Sequence, residues 1–422
     1  MMSEESTTVV KATAAVVAAH AEEITGVFYP DMLGAHPELL SVFNLANQAT
    51  GEQRQALAAS VVAYAVHLVD PQAPSFHPVL ERIAHKHVSL GIRPEQYTIV
   101  GHHLLKAVGT VLGEAVTPEI ARAWDEVYWL FATQLIAEEA RLYTLAGMDP
   151  KQPWERYEVV RTIDEAVDVI SLVLRPADGS AAPPHRAGQY VSVAVDLPDG
   201  TRQPRQYTIS TGPRPDTLQI TVRRVRGLDG APDGRVSTFL HTEVSPGDVL
   251  ELTRPCGDVV LADSAAPLVL ISAGIGITPI AAIADDAAIR SPQRPVILAH
   301  ADRSRRHHAL NQAITKSTAA FTGVGRYAWY EEPGTDAETA TDAAGVVLRT
   351  GLMDLTEVPI PVEAQVFMCG PLAFMRGIRR HLIARGLNPA NIGYEIFGPD
   401  LWNAEPATAT DPAPEAATAL VS

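Results

Sequence analysis

The segment Leu268-Val-Leu-Ile271-Ser-Ala-Gly274-Ile-Gly276-Ile-Thr278-Pro279 reads as a buried-type strand, a glycine turn and the start of a helix. Glycines at that turn let the backbone approach a pyrophosphate, and a helix N-terminus supplies N–H groups and positive dipole. Pro279 stands where Gly-x-Gly-x-x-Gly would need its third glycine, so this is not that dinucleotide fingerprint. The helical pattern runs Ile277–Ala288. Strand and helix signals then alternate: Val296–Ala299, a helix near Ala309–Ala319, Arg326–Tyr330, Val366–Met368, a helix at Leu372–Arg385, and Gly393–Phe397. Such alternation predicts an α/β doubly wound parallel sheet over residues 265–402.

Upstream the period changes. From Trp154 to residue 264 short alternating runs appear at Tyr157–Val160, Val167–Leu174, Tyr190–Val195, Gln206–Ser210, Leu218–Arg224 and Val249–Thr253. Turn signals such as Pro198-Asp-Gly200 and Ser245-Pro-Gly-Asp248 separate them, and the pattern predicts a closed antiparallel β-barrel. Residues 1–147 read as all-α. Apolar residues recur three or four apart in Leu57–Val61–Tyr64–Ala65–Leu68, in Val79–Ile83 and in Trp124–Val127–Leu130–Phe131–Leu135. Proline is read as confined to helix edges, at Pro37, Pro71, Pro94 and Pro118. Residues 148–153 have linker chemistry, and 403–422, rich in Ala, Pro and Thr, are expected to be a disordered tail.

The 422 residues suggest about three domains. A formal net charge of −16 argues against a nucleic-acid footprint. Two cysteines, Cys256 and Cys369, lie outside any Cys-x-x-Cys spacing, which fits a reducing cytosol and offers no disulfide framework. Acidic Glu4 and Glu5 and a broken apolar start do not make a secretory signal, and the apolar region Val259–Ala284 is punctuated by Pro and Gly. A cytoplasmic location and no stable membrane insertion are expected.

In the helical part, His87 of Ile83-Ala-His-Lys-His87 is the candidate metal ligand. It is one of fourteen histidines, and its surroundings single it out. Val27-Phe-Tyr29-Pro-Asp-Met-Leu33, Val42-Phe43-Asn-Leu-Ala-Asn47-Gln48 and Gln53-Arg-Gln-Ala-Leu57 precede it in order. Ile92-Arg-Pro-Glu-Gln-Tyr97 and Ala137-Glu-Glu139-Ala-Arg-Leu-Tyr143 follow. This set closely resembles the haem domain of flavohaemoglobins, and the resemblance continues to Pro399. It implies His87 as proximal iron ligand and Phe43 packed on the porphyrin. Tyr29 and Gln53 are implied as distal hydrogen-bond donors, Leu57 as a limit on distal volume, and Tyr97 and Glu139 as partners of the His87 ring. A carboxylate accepting the ring N–H makes imidazole a stronger donor to iron.

The resemblance extends to the flavin and nicotinamide parts. Arg205-Gln206-Tyr207-Thr208-Ile-Ser210 is similar to the flavin-binding strand of the ferredoxin-reductase superfamily, and Gly188-Gln189-Tyr190 to its Gly-Gln-Tyr/Phe. Gly234-Arg-Val236-Ser237-Thr-Phe-Leu240 resembles a phosphate-meeting turn. Gly274, Gly276, Thr278 and Pro279 match the superfamily's Gly-x-Gly-x-Thr-Pro form. Cys369-Gly370-Pro371 matches its nicotinamide turn, and Tyr394-Glu395-Ile-Phe397 matches the C-terminal strand that returns to the flavin. Two positions depart: Ile277 stands where flavohaemoglobins commonly have Gln, and Ile396 where they have Cys. Arg303, Arg305 and Arg306 are candidates for a 2′-phosphate contact or for a solvated basic turn, so NADH and NADPH both stay open.

The implied cofactors are haem b, FAD and NADH or NADPH. The implied activity is nitric oxide dioxygenation, turning NO and O2 into nitrate, with small molecules as the only required partners. Alternatives are an NAD(P)H-driven haem reductase acting on peroxides, and a haem-based gas or redox sensor.

Overall fold

The computed structural model describes residues 2–42, 52–73, 75–227, 231–332 and 341–398, and only the backbone of 52–55. Expectations attached to Phe43, to the Gln53 side chain and to the tail lie outside the described residues. The chain resolves into two compact units. The first is built on Met1–Trp154, with Pro198–Arg205 assigned to it, and the second on Glu155–Leu197 and Gln206–Phe397.

The first unit is helical: α1 (Glu4–Ala19), α2 (Ala21–Ala35), a single-turn segment Pro37–Ser41, α3 (Glu52–Val69), α4 (His77–Leu90), α5 (Pro94–Leu112) and α6 (Pro118–Ala146). The starts of α4, α5 and α6 carry proline, where no N–H is needed, and the Thr117 side chain caps α6 at Ile120. Gly91 and Gly147, both left-handed, end α4 and α6. The expectation that proline keeps to the edges fails at Pro30, which lies inside α2. Its ring removes one helical hydrogen bond, and burial of Ile24, Phe28, Tyr29 and Met32 on the same helix offsets that loss. Helices α5 and α6 meet closely at Gly101, where an added Cβ would stand 2.4 Å from the Tyr128 ring.

Six antiparallel strands follow, all in the second unit except the first residues of β4: β1 (Glu155–Ala166), β2 (Val169–Pro176), β3 (Tyr190–Asp196), β4 (Arg202–Thr208), β5 (Leu218–Arg223) and β6 (Val249–Leu252). Their order is β4-β3-β6-β1-β2-β5, and an Ile209–Ile220 bridge brings the two ends together, closing the barrel. Leu172, Leu174, Leu218, Ile220 and Val222 point into its core. Strand β1 is longer than its alternation indicated, because irregularities after Val159 and Asp164 break the two-residue period. Residues Arg235–Thr242, read from sequence as a turn, form helix α7.

The rest is a parallel sheet: β7 (Leu268–Ala273), β8 (Val296–Asp302), β9 (Val324–Tyr330), β10 (Val346–Thr350), β11 (Gln365–Cys369) and β12 (Ile392–Glu395), ordered β10-β9-β8-β7-β11-β12. Helices α8 (Ile277–Arg290), α9 (Asn311–Thr318) and α10 (Leu372–Ala384) alternate with them. Strand order reverses between β7 and β11, which makes the crevice at their carboxyl ends the expected binding position. Barrel and sheet share one core, in which Val169, Ala187 and Leu261 pack among Leu268, Ile280 and Phe367. Asp285 of α8 reinforces the join, accepting from the Gly212 N–H at 2.9 Å and pairing with Arg214 at 2.5 Å.

Beneath the sheet His308 is buried, its Nδ1 2.8 Å from the Tyr330 hydroxyl and its ring 4.0 Å from that of His300. Burial, then the charges of His300, Arg326 and Arg305, push its pKa well below the ordinary value of 6.5. The folded chain therefore holds His308 neutral while the unfolded chain takes up a proton below about pH 6.5. Stability of the second unit should fall as pH drops from 7 towards 5, and His308→Gln should flatten that slope. Thermal unfolding across this range checks it; equal slopes in both chains would remove His308 as the cause.

Candidate functional site

His87 lies one turn before the end of α4, and its ring is engaged through Nδ1 alone among the described residues. Glu139 Oε1 of α6 is 2.8 Å away and the Tyr97 hydroxyl of α5 is 2.9 Å away. Tyr97 also donates to Glu139 Oε1. The ring is about one-third exposed, whereas Glu139 is 2% exposed. Burial first, then the Glu139 carboxylate, raises the Tyr97 pKa far above its ordinary value, so the phenol stays protonated and donates. Tyr97 is itself fixed, its carbonyl accepting from the Tyr128 hydroxyl. Glu139 Oε2 is buried with no partner among the described residues. A buried acceptor-only carboxylate holds the ring proton on Nδ1 and leaves Nε2 as the lone-pair atom. That donor set fits a metal ligand with a fixed tautomer.

Tyr29 is buried on α2, packed edge-on to Phe28 at 4.7 Å, and Leu57 is half-buried on α3. The structure thus brings His87, Tyr97 and Glu139 into one hydrogen-bonded cluster.

In the barrel, Thr208 and Ser210 are buried, and Tyr207 packs partly buried against the core. Arg205 Nη1 donates to its neighbour Pro204 and to Gln203 Oε1. The Gln189 amide is held within the barrel, accepting from the Arg186 N–H and donating to the Gly257 carbonyl. Buried Tyr190 exchanges backbone hydrogen bonds with Cys256. Val236 and Ser237 sit in the first turn of α7 rather than in an open turn. The Ser237 hydroxyl is already taken by the Val225 N–H and the Gly234 carbonyl.

At the switch point two turns touch backbone to backbone. A Cβ at Gly276 would lie 2.3 Å from the Cys369 carbonyl oxygen, and one at Gly370 would lie 3.0 Å from the Phe374 ring and 3.1 Å from the Ala273 Cβ. Gly274 has φ +53°. Buried Thr278 donates to the Ile275 carbonyl, and Pro279 is buried behind it. Register aligns Ser272, Cys369 and Glu395 across the ends of β7, β11 and β12. Burial, then Glu395, pushes the Cys369 thiol well above its ordinary pKa, so it is no thiolate. Pro371 caps α10, and Phe397 is 47% exposed, an aromatic face open to a planar ligand. Ile277 is fully buried in the core, so it leaves no polar gap, and Ile396 is buried as well.

Sequence reading missed Arg223. It ends β5 and reaches the glycine turn, where a Cβ at Gly274 would lie 3.7 Å from its Nη1. Burial lowers its pKa, with the Asp302 charge opposing, and no side-chain hydrogen bond reaches it among the described residues. A half-buried cation beside a glycine turn fits a pyrophosphate. The signal was present: alternation puts Arg223 on the same outward face as Gln219 and Thr221. Of the three candidate arginines, Arg303, Arg305 and Arg306 are all exposed, and Arg305 pairs with Asp342 at 3.2 Å.

Known proteins agree with this layout. Residues 26–135 match the Globin family, and residues 270–380 match the oxidoreductase NAD-binding domain. The flavohemoprotein of Bordetella parapertussis is 42% identical over 405 residues, covering 94% of this chain and 99% of that protein. A crystal structure of flavohemoglobin from Malassezia yamatoensis, with bound FAD and heme, superposes with a TM-score of 0.84 at 34% identity. It covers 94% of this chain and 100% of its own. The flavohem-like FAD/NAD-binding domain of nitric oxide dioxygenase from Vibrio cholerae matches 58% of this chain and 99% of its own, with a TM-score of 0.53 and 33% identity. A globin joined to a nucleotide-dependent oxidoreductase module is the class so defined. The chain belongs to the flavohemoprotein family.

Tyr97→Phe removes one of the two donors to buried Glu139 and should destabilise the helical unit by about 1–3 kcal/mol. Urea unfolding followed by helical circular dichroism measures this. An unchanged midpoint would mean that the Tyr97 hydroxyl adds nothing to holding Glu139.

Proposed function

We propose that this chain is a nitric oxide dioxygenase, forming nitrate from NO and O2 with electrons from NADH or NADPH. Haem, when bound, supplies the iron at which the gases combine, and FAD passes it electrons from the nicotinamide. The observation that carries the reading is the His87–Tyr97–Glu139 cluster, found on one chain with a nucleotide-binding oxidoreductase module.

Each residue has a role that its surroundings support. Glu139 draws on the His87 Nδ1 proton, so Nε2 becomes a stronger electron donor to a metal; this favours activating a bound gas over storing it. Protonated Tyr97 keeps Glu139 in position. Tyr29 donates a hydrogen bond into the distal space, and Leu57 narrows it. Arg205, Tyr207, Thr208 and Ser210 hold the flavin, with Gln206, Gln189, Tyr190, Val236 and Ser237 around it. Gly274, Gly276, Thr278 and Pro279 admit the nicotinamide pyrophosphate, and Arg223 neutralises it. Cys369, Gly370, Pro371, Glu395 and Phe397 border the nicotinamide. The reading needs no second protein, because every role falls on this chain.

Nitrate formed by the purified full-length protein, supplied with NAD(P)H, O2 and NO, tests the reading; rapid haem reduction without nitrate would overturn it. Tyr29→Phe should slow nitrate formation by roughly 10- to 100-fold while leaving flavin reduction within about twofold. An unchanged rate would remove Tyr29 from the chemistry. Arg223→Ala should raise the NAD(P)H KM by about 10-fold or more with the haem spectrum unaltered.

A further inference from the structure

From Ser210, a chain of three side chains with no role in the scheme above, Thr221, Ser171 and Glu165, runs across the barrel strands. Ser210 Oγ lies 2.7 Å from Thr221 Oγ1, Thr221 Oγ1 lies 2.8 Å from Ser171 Oγ, and Ser171 Oγ donates to Glu165 Oε1 at 2.7 Å. All three hydroxyls are buried, and Glu165, near the end of β1, is half-buried. They lie on the barrel's outer face, since their neighbours Ile209, Ile220 and Leu172 fill its core.

A single Ser–Thr pair across strands is an ordinary sheet contact. Three buried hydroxyls in series, ended by a carboxylate, impose something more. The carboxylate only accepts, so Ser171 gives it its one proton. Thr221 must then donate to Ser171, and Ser210 to Thr221. The competing acceptor for Ser210, the Gln219 carbonyl, is farther away at 3.3 Å. The direction of every bond is thereby set from one end, and each bond polarises the next. Ser210 is left offering lone pairs, of which Gln219 Nε2 approaches one at 3.4 Å.

We propose that Glu165, acting through Ser171 and Thr221, positions Ser210 as a hydrogen-bond acceptor on the flavin-facing strand. The ligand group it takes is an N–H donor, and the imide N–H of an isoalloxazine has that chemistry. The proposal rests on the reading that residues Arg205–Ser210 meet FAD. Glu165, Ser171 and Thr221 are positioning residues, acting on the ligand only through Ser210.

The test measures FAD dissociation from the full-length protein by flavin fluorescence, with the bound-flavin visible spectrum recorded alongside. Glu165→Ala and Thr221→Val should each loosen FAD by about fivefold, the worth of one hydrogen bond, and shift the spectrum alike. The double variant should be no worse than either single one, because both break one relay. Glu165→Gln, which keeps an acceptor, and Thr221→Ser should restore affinity to within about twofold. Additive losses, no loss, or no rescue would overturn the proposal. If Thr221→Val does not fold, the Glu165→Ala and Glu165→Gln pair decides by the same criterion. A wild-type chain that takes up no FAD would overturn the flavin reading and the relay with it; wild-type binding with unchanged variants overturns the relay alone.

Discussion

No side chain fits at residue 276. The turn after β7 and the turn after β11 press backbone against backbone there, with the Cys369 carbonyl filling the space a Cβ would need. That contact lies at the reversal in strand order between β7 and β11. It also sets the row Ser272, Cys369 and Glu395 across the strand ends. Through the core shared with the barrel it places Arg223 of β5 beside Gly274.

The buried ionisable groups follow different rules. Glu139 is buried and answered by two donors on one oxygen, which keeps a negative charge tolerable and directs it at His87. Arg223 is half-buried; burial lowers its pKa and the Asp302 charge opposes that shift. His308 avoids the problem by staying neutral. A buried charge with satisfied neighbours costs far less than one left unanswered.

Much of this was legible in the residues. The strand–turn–helix at Leu268–Pro279 and the alternation after it specify the parallel sheet, and the resemblance carried by the ordered motifs around His87, Tyr97 and Glu139 implies the cluster that these three form. Other features were hidden for physical reasons. Bulges in β1 erase the two-residue period that reveals a strand. Strand β10 is a short edge strand, mostly half-buried, so its apolar run is weak. The inside of α2 tolerates Pro30 because tertiary burial outweighs a local preference. The Ser237 hydroxyl could not be known to be occupied, because its partner Val225 lies twelve residues earlier, just past the end of β5. Arg223 looked like any strand residue until the turn it faces, some fifty positions later, was folded against it.

The apolar cluster that runs from Val169, Ala187 and Leu261 into Leu268, Ile280 and Phe367 has a consequence for how the chain can be divided. Severing it near residue 265 would bare greasy surface on both fragments and cut Asp285 off from Gly212 and Arg214. Two architectures, the barrel and the sheet, thus make one heritable part: recombination can transplant them together onto another protein, but neither travels well alone.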